Sequence, residues 1–286
     1  MKLPPGKVIV TAALNGAFVT KDVNPNVPEQ PDEIARAALE CRNAGAAIVH
    51  IHARDEQGRP CGTREKFAEI LAAVRDACPD VIVNFSTGGG TSLTIEERVS
   101  CLDADPEMAS LNMGTLMRQS GPNAGKPFVN MTADIEAWAA KMKAMRIKPE
   151  MECYSHSMYR DVRNLIAKGL VEPPYYVNFV LGMKHQGAVE ASPEMLTSMY
   201  QAMPDDCCFN VTATGAAQLP LTTMGMVMGG AVRVGLEDNI YYRRGEAARS
   251  NAQLVERTVR IARELTLEPA TPDEARAILG VAQKRC

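Results

Sequence analysis

Eight short apolar, β-rich runs recur along the chain, each followed by an amphipathic stretch or a long loop. They occupy residues 7–14, 47–52, 81–85, 108–112, 148–153, 175–181, 208–212 and 231–235. Helical periodicity marks 31–44, 64–77, 135–145, 159–168, 193–203 and 249–265. Gln30-Pro31-Asp32-Glu33 opens one helix with a proline at its first position and acids in its first turn. Gly45 and Gly169 follow helices as terminating residues. Strands each followed by a helix or a long loop predict an α/β fold, and eight repeats in 286 residues predict a (β/α)8 TIM barrel. An open doubly wound sheet would want Gly-x-Gly-x-x-Gly after the first strand. Leu14-Asn15-Gly16-Ala17-Phe18 stands there instead.

No linker, low-complexity segment or charge block divides the chain, so residues 1–286 are expected to form one domain. Residues 113–131 read as a long loop within it. Residues 266–286 read as a polar helical extension laid on the surface or on a neighbouring subunit. With 46% hydrophobic residues the chain can bury a large core. A net charge of −3 without a basic stripe gives no footprint for nucleic acid. The residues after Met1 lack the apolar core of a signal peptide, and no stretch approaches a membrane span. The expectation is a soluble, cytoplasmic protein with no membrane or nucleic-acid partner. Cysteines 41, 61, 78, 101, 153, 207, 208 and 286 include no Cys-x-x-Cys and read as free, mostly buried thiols. The adjacent Cys207 and Cys208 fall on opposite strand faces and cannot readily chelate one metal.

In a barrel, chemistry collects at the C-terminal ends of the strands. The second strand ends in Ile48-Val49-His50-Ile51-His52. Residues two apart in a strand share a face, so His50 and His52 aim their imidazoles together, half of a metal site for which zinc is the commonest taker. Glu237, after the eighth strand, is the natural third ligand, because strands eight and two lie close across strand one. Asn15 ends the first strand. Ser86-Thr87-Gly88-Gly89-Gly90 ends the third and could turn backbone N–H groups toward an anion. Ser110 lies at the end of the fourth strand and Glu152 on the fifth. Arg233 sits in an apolar strand and needs a carboxylate, which Asp238 or Glu152 could supply. Strand bodies are read as apolar, with polar groups reserved for the ends.

These stretches resemble the β-keto acid cleavage enzymes. The likeness runs through Val10-Thr11-Ala12-Ala13, Ala46 to Arg54, Ser86-Thr87-Gly88-Gly89, Pro106 to Asn112 and Pro149-Glu150-Met151-Glu152. It continues through Phe179-Val180-Leu181-Gly182, Arg233 to Tyr241, Ser250 to Val255 and Ala270-Thr271-Pro272. The resemblance implies a TIM barrel, a divalent metal that is usually zinc, and a homotetramer. It also implies a reaction of a β-keto acid with acetyl-CoA to give acetoacetate and a new acyl-CoA. Under it His50, His52 and Glu237 match the metal ligands. Ser86, Ser110, Glu152, Arg233 and Asp238 fall on substrate-binding and catalytic positions, with Ser110 replacing a threonine. Of these, Asp238, Arg233, Glu152 and Ser86 carry the catalytic expectation. Ser86, Gly88, Gly89, Ser110, Phe18 and Asn15 carry the substrate-binding one. Asp238 or Glu152 would move the proton.

One departure bears on substrate. A family member acting on an amino-substituted acid has a glutamate where this chain has Phe18, which cannot pair with an ammonium in that way. The segment 182–187 also departs and is placed at the pocket. Two other functions fit the residue pattern. One is a zinc-dependent aldolase or hydrolase that needs no CoA. The other is a non-catalytic metal-dependent binding protein, which the acids and Arg233 disfavour.

Overall fold

Each strand divides its side chains between two environments, and that division builds the molecule. The computed structural model describes residues 2–90, 92–121 and 123–284. Eight parallel strands close a barrel: β1 (Val10–Ala13), β2 (Ile48–Ile51), β3 (Ile82–Phe85), β4 (Met108–Asn112), β5 (Lys148–Cys153), β6 (Tyr175–Leu181), β7 (Cys207–Ala213) and β8 (Ala231–Val234). Neighbours in sequence are neighbours in space, and β8 closes on β1 with Arg233 opposite Thr11. The surrounding helices are α1 (Pro31–Ala44), α2 (Arg64–Ala77), α3 (Ile95–Val99), α4 (Thr132–Ala144), α5 (Tyr159–Ala167), α6 (Pro193–Ala202), α7 (Gln218–Val227) and α8 (Asn251–Glu264). A further helix, α9 (Pro272–Leu279), follows them.

Outward strand residues such as Val49, Phe85, Leu111, Val177 and Phe209 join Ile34, Phe67 and Leu254 of the helices in the main apolar core. Inward residues at the lower ends, Ile9, Ile48, Ile82, Met108, Tyr176, Cys208 and Ala231, form a second cluster with Ala275 and Leu279 of α9. Two residues further along each strand the inward positions turn polar. They are Thr11, His50, Asn84, Ser110, Glu150, Asn178, Asn210 and Arg233, all buried. The polar layer therefore starts inside the strand bodies rather than only at their ends. Some of its groups sustain one another: the Asn84 and Asn210 amides donate to Glu150 at 2.6 and 3.3 Å, and Thr212 donates to Asn178 at 2.9 Å. Such pairing is what makes burial of polar groups tolerable.

Several elements differ from expectation. The run 7–14 divides, because Lys7–Val8 leaves the barrel to pair in parallel with Glu268–Pro269. Residues beyond 266 therefore supply a short strand and α9. That helix buries Ala275 and Leu279 completely beneath the barrel instead of lying as a polar surface helix. The loop 113–131 carries a two-stranded ribbon, Leu116–Met117 against Pro127–Phe128. Helix α4 begins at Thr132, three residues early, and α3 and α7 have no counterpart in the sequence periodicity. Cys41, Cys78, Cys101, Cys153, Cys207 and Cys208 are buried and Cys61 is partly so. Cys207 and Cys208 fall in different core clusters, as their alternation requires. Cys286 lies outside the described residues. No helix among the described residues is long and apolar enough to cross a membrane.

Candidate metal centre and active-site cavity

β2 delivers both imidazoles to the upper mouth of the barrel. His52 is fixed by Asn15, whose amide accepts from the His52 N–H at 3.0 Å and donates to its carbonyl at 2.9 Å. Glu237 arrives from the turn after β8. That turn starts at Gly235, with φ +148°, where a Cβ would stand 2.1 Å from the Ala13 carbonyl oxygen. Gly16, with φ +66°, likewise leaves room for Glu237, since its Cβ would lie 2.6 Å from Glu237 Cγ. Glu237 Oε2 is 3.7 Å from His50 Nε2, and Oε1 is 3.4 Å from His52 Nε2. All three ligand atoms lie within 4.8 Å of one another.

That geometry fits a metal ion. Tetrahedral ligands at zinc bond lengths stand about 3.4 Å apart. Glu237 Oε2 is buried without any hydrogen-bond partner, as is His50 Nδ1. A buried carboxylate oxygen without a donor is costly unless a cation completes it. Burial would raise the Glu237 carboxyl, but Arg233 and the two imidazoles outweigh it and hold the group well below its ordinary value. Burial, Arg233 and His52 together push His50 well down, toward the neutral form that binds metal. Behind it, Glu150 Oε2 lies 3.9 Å from His50 Nδ1, beyond hydrogen-bond range.

Arg233 organises the acids. Its Nε and Nη2 donate to the two Asp238 oxygens at 2.8 and 2.9 Å, and Nη2 also reaches Glu237 Oε1 at 2.5 Å. Nη1 reaches Glu152 Oε1 at a longer 3.4 Å. Burial and the neighbouring Glu150 push Glu152 up to about 8, against the pull of Arg233. Burial raises Asp238 to about 6 despite its two bonds to Arg233. The site thus gathers one cation, Arg233, with a ligand acid held well below its ordinary value and two acids raised above theirs.

His50, His52, Glu237, Arg233, Glu152, Ser86, Gly88 and Phe18 all line one cavity of about 600 Å³ at the barrel mouth. Asn15, Ser110, Gly89 and Asp238 do not line it. Asn15 and Ser110, expected to touch substrate, are fully buried and act through neighbours. Ser110 Oγ accepts from the Thr87 N–H at 3.1 Å and so holds the turn that presents Ser86. Ser86 Oγ in turn accepts from Gly88 N–H at 3.0 Å, which keeps one of the proposed anion donors occupied. Met183, His185 and Gln186 bring the segment 182–187 into the lining.

Sequence reasoning assigns no role to Asn112, Tyr154 and Glu150, although they stand near strand ends. Both polar atoms of the Asn112 side chain are buried and unpartnered in the cavity wall. Tyr154 donates to Glu152 at 3.3 Å. Strand alternation on β4 and β5 carries the signal, since Ser110 and Asn112, like Glu150 and Glu152, share a face.

A family model for the beta-keto acid cleavage enzyme matches residues 7–281. The chain belongs to the β-keto acid cleavage enzyme family. It is 41% identical over 279 residues to the 3-keto-5-aminohexanoate cleavage enzyme of Acetoanaerobium sticklandii, covering 97% of this chain and 99% of that one. It is 33% identical to the 3,5-dioxohexanoate:acetyl-CoA acetone transferase of Paraburkholderia graminis, covering 96% of this chain and 95% of that one. Among solved structures, apo ObcA superposes with a TM-score of 0.75 at 18% identity. That likeness covers 91% of this chain and 66% of ObcA, and it shows the barrel fold alone. As a member of the family, the protein is an enzyme acting on β-keto acids.

Proposed function

We propose that the enzyme is zinc-dependent and joins a β-keto acid with acetyl-CoA to give acetoacetate and a new acyl-CoA. We further propose that its acid carries no amino group. The observation that carries the reading is the His50–His52–Glu237 cluster, open to the cavity and backed by Arg233, Glu152 and Asp238. The relatives' names, which specify β-keto acid cleavage and acetyl-CoA transfer, support the same chemistry.

Zinc held by His50, His52 and Glu237 would polarise the keto oxygen and ease formation of a carbon nucleophile beside it. The residues of the chain supply the rest. Arg233, locked by Asp238, presents a fixed positive charge where negative charge develops on the reacting acid. The Ser86 turn and Asn112 offer neutral donors that orient the acid. Glu152 in the wall and Asp238 behind Arg233 are the two acids placed to move the proton. Activity should rise with pH as the base ionises, and a Glu152 limb lies at the higher pH. Comparing the pH–rate profiles of Glu152→Gln and Asp238→Asn assigns the role to whichever substitution abolishes the rise of activity with pH.

The deciding experiment is a screen of β-keto acids for acetoacetate formation with and without acetyl-CoA. Formation only with acetyl-CoA supports the reading, whereas cleavage without it favours an aldolase or hydrolase. Homotetramer formation belongs to the same reading, through the family resemblance. Light scattering checks it against a chain mass of 31.0 kDa.

A further inference from the structure

We infer that Arg118 binds an anionic group, carboxylate or phosphate, at the outer end of the active-site cavity. The inference rests on the proposed reactants, since it assigns the anion to one of them. Beyond Phe18 and His185, whose rings meet edge-on at 4.7 Å, the cavity continues into a second chamber. Ala17, Phe18, Gly90 and His185 line both, and Pro60, Ser92, Arg118 and Ser120 line only the outer one.

Arg118 is 5% exposed, yet its charge is unmet. Its Nη1 makes one long bond, 3.4 Å, to the Pro127 carbonyl. Nε and Nη2 are buried with no partner. Its guanidinium lies 5.0 Å from the centre of the Phe128 ring, and that ring also carries Arg98 at 4.3 Å. Arg98 spends its donors on neutral oxygens of Thr87, Val129 and Asn130. Among the described residues no carboxylate lies within ion-pair distance of either guanidinium. Arg233 and Arg276, by contrast, each hold acids at 2.5–2.9 Å.

Burying a guanidinium with unfilled donors is unfavourable unless the working state fills them. Two such cations share one ring beside the outer chamber, and among the described residues neither has a carboxylate in ion-pair contact. A planar fork with two unpartnered N–H donors matches a carboxylate or a phosphate. Both proposed reactants can bring one. A β-keto acid can carry a second carboxylate at its tail, and CoA carries phosphates. The same charges oppose a cationic tail, in agreement with Phe18.

The test measures equilibrium binding to zinc-loaded enzyme, without turnover, for two matched pairs of probes. Adipate against hexanoate differs by a tail carboxylate, and CoA against pantetheine differs by the phosphates. Calorimetry is run on the native enzyme, Arg118→Gln and Arg118→Lys. In the native enzyme one anionic member binds tighter, and rising salt narrows the gap. Arg118→Gln should shrink that preference by about tenfold or more, and Arg118→Lys should restore part of it. Collapse in the first pair assigns the anion to the acid's tail, and collapse in the second assigns it to the coenzyme. If both preferences survive in Arg118→Gln, the inference is overturned. Should that variant not fold, a salt-independent native preference in both pairs overturns it instead. If Arg118 governs binding but no β-keto acid yields acetoacetate, the proposed reaction fails while the anion site stands.

Discussion

His50 and His52 owe their common direction to the two-residue period of a strand, and that period is readable in the amino-acid order alone. Glu237 is legible for a related reason, because a closed barrel brings the ends of β8 and β2 together across β1. Asn178 and Asn210 are less so, because in sequence they sit among apolar neighbours and read as strand body, whereas Asn84 and Glu150 read as strand-end polar groups without a role. Only the three-dimensional pairing of Asn84 and Asn210 with Glu150, and of Asn178 with Thr212, shows the layer. Arg118 gives no signal, since loop residues have no periodicity to betray burial. The metal assignment predicts that a His50→Ala, His52→Ala double variant loses zinc but keeps its fold. Elemental analysis alongside circular dichroism checks this, and full zinc occupancy in the variant would overturn it. Phe18 is 44% exposed in the cavity wall and offers a π face without charge. Phe18→Glu should therefore shift kcat/KM toward 3-keto-5-aminohexanoate relative to an uncharged acid. A native enzyme that already favours the ammonium substrate would show that another residue selects.

At the scale of elements, strands are easier to read than helices. The eight apolar runs map onto eight barrel strands because inward and outward faces are both buried, which leaves little ambiguity. Helix α7 escapes the periodicity because Gln218–Val227 contains Pro220, Gly225 and paired threonines, all poor helix formers. Packing against β7 and β8 overrides that preference, and Leu221 and Met226 are buried there. Helix α3 has five residues, too few for a periodic pattern, although Thr94 and Glu97 cap it reciprocally. Helix α9 reads as polar because only one side of it is apolar, and that side closes the lower end of the barrel. Leu279 is fully buried there, so Leu279→Ala should cost about 2–5 kcal/mol in urea unfolding. The site is at the opposite end, so the folded variant should retain its metal.

The whole molecule is layered along the barrel axis, mostly apolar below and charged above, although Glu107 is buried at the lower end against Arg75 and Arg276. Lys148 sits in the lower layer, 7% exposed, its ammonium donating to the Glu172 carbonyl at 2.9 Å. Burial lowers it to about 8. Between that value and the ordinary lysine range the unfolded chain binds more protons than the folded one. Stability should therefore rise with pH from about 8 toward about 10.4, and the penalty should be full below 8. Lys148→Met should remove this dependence and stabilise the protein at neutral pH by up to about 3 kcal/mol. Unfolding curves of both proteins across that range check it, and parallel pH profiles would refute it.

The ligands stand on either side of a strand that contributes none. β1 is hydrogen-bonded on one flank through the Leu14 N–H to the His50 carbonyl, and on the other the Glu237 N–H donates to the Ala13 carbonyl. An ion joining His50 to Glu237 would complete a loop around β1, much as a rivet through two outer planks traps the one between. Deuterium uptake at Val10–Ala13 should then slow when zinc is added and quicken when it is chelated, so a strand with no ligand would report the occupancy of the site.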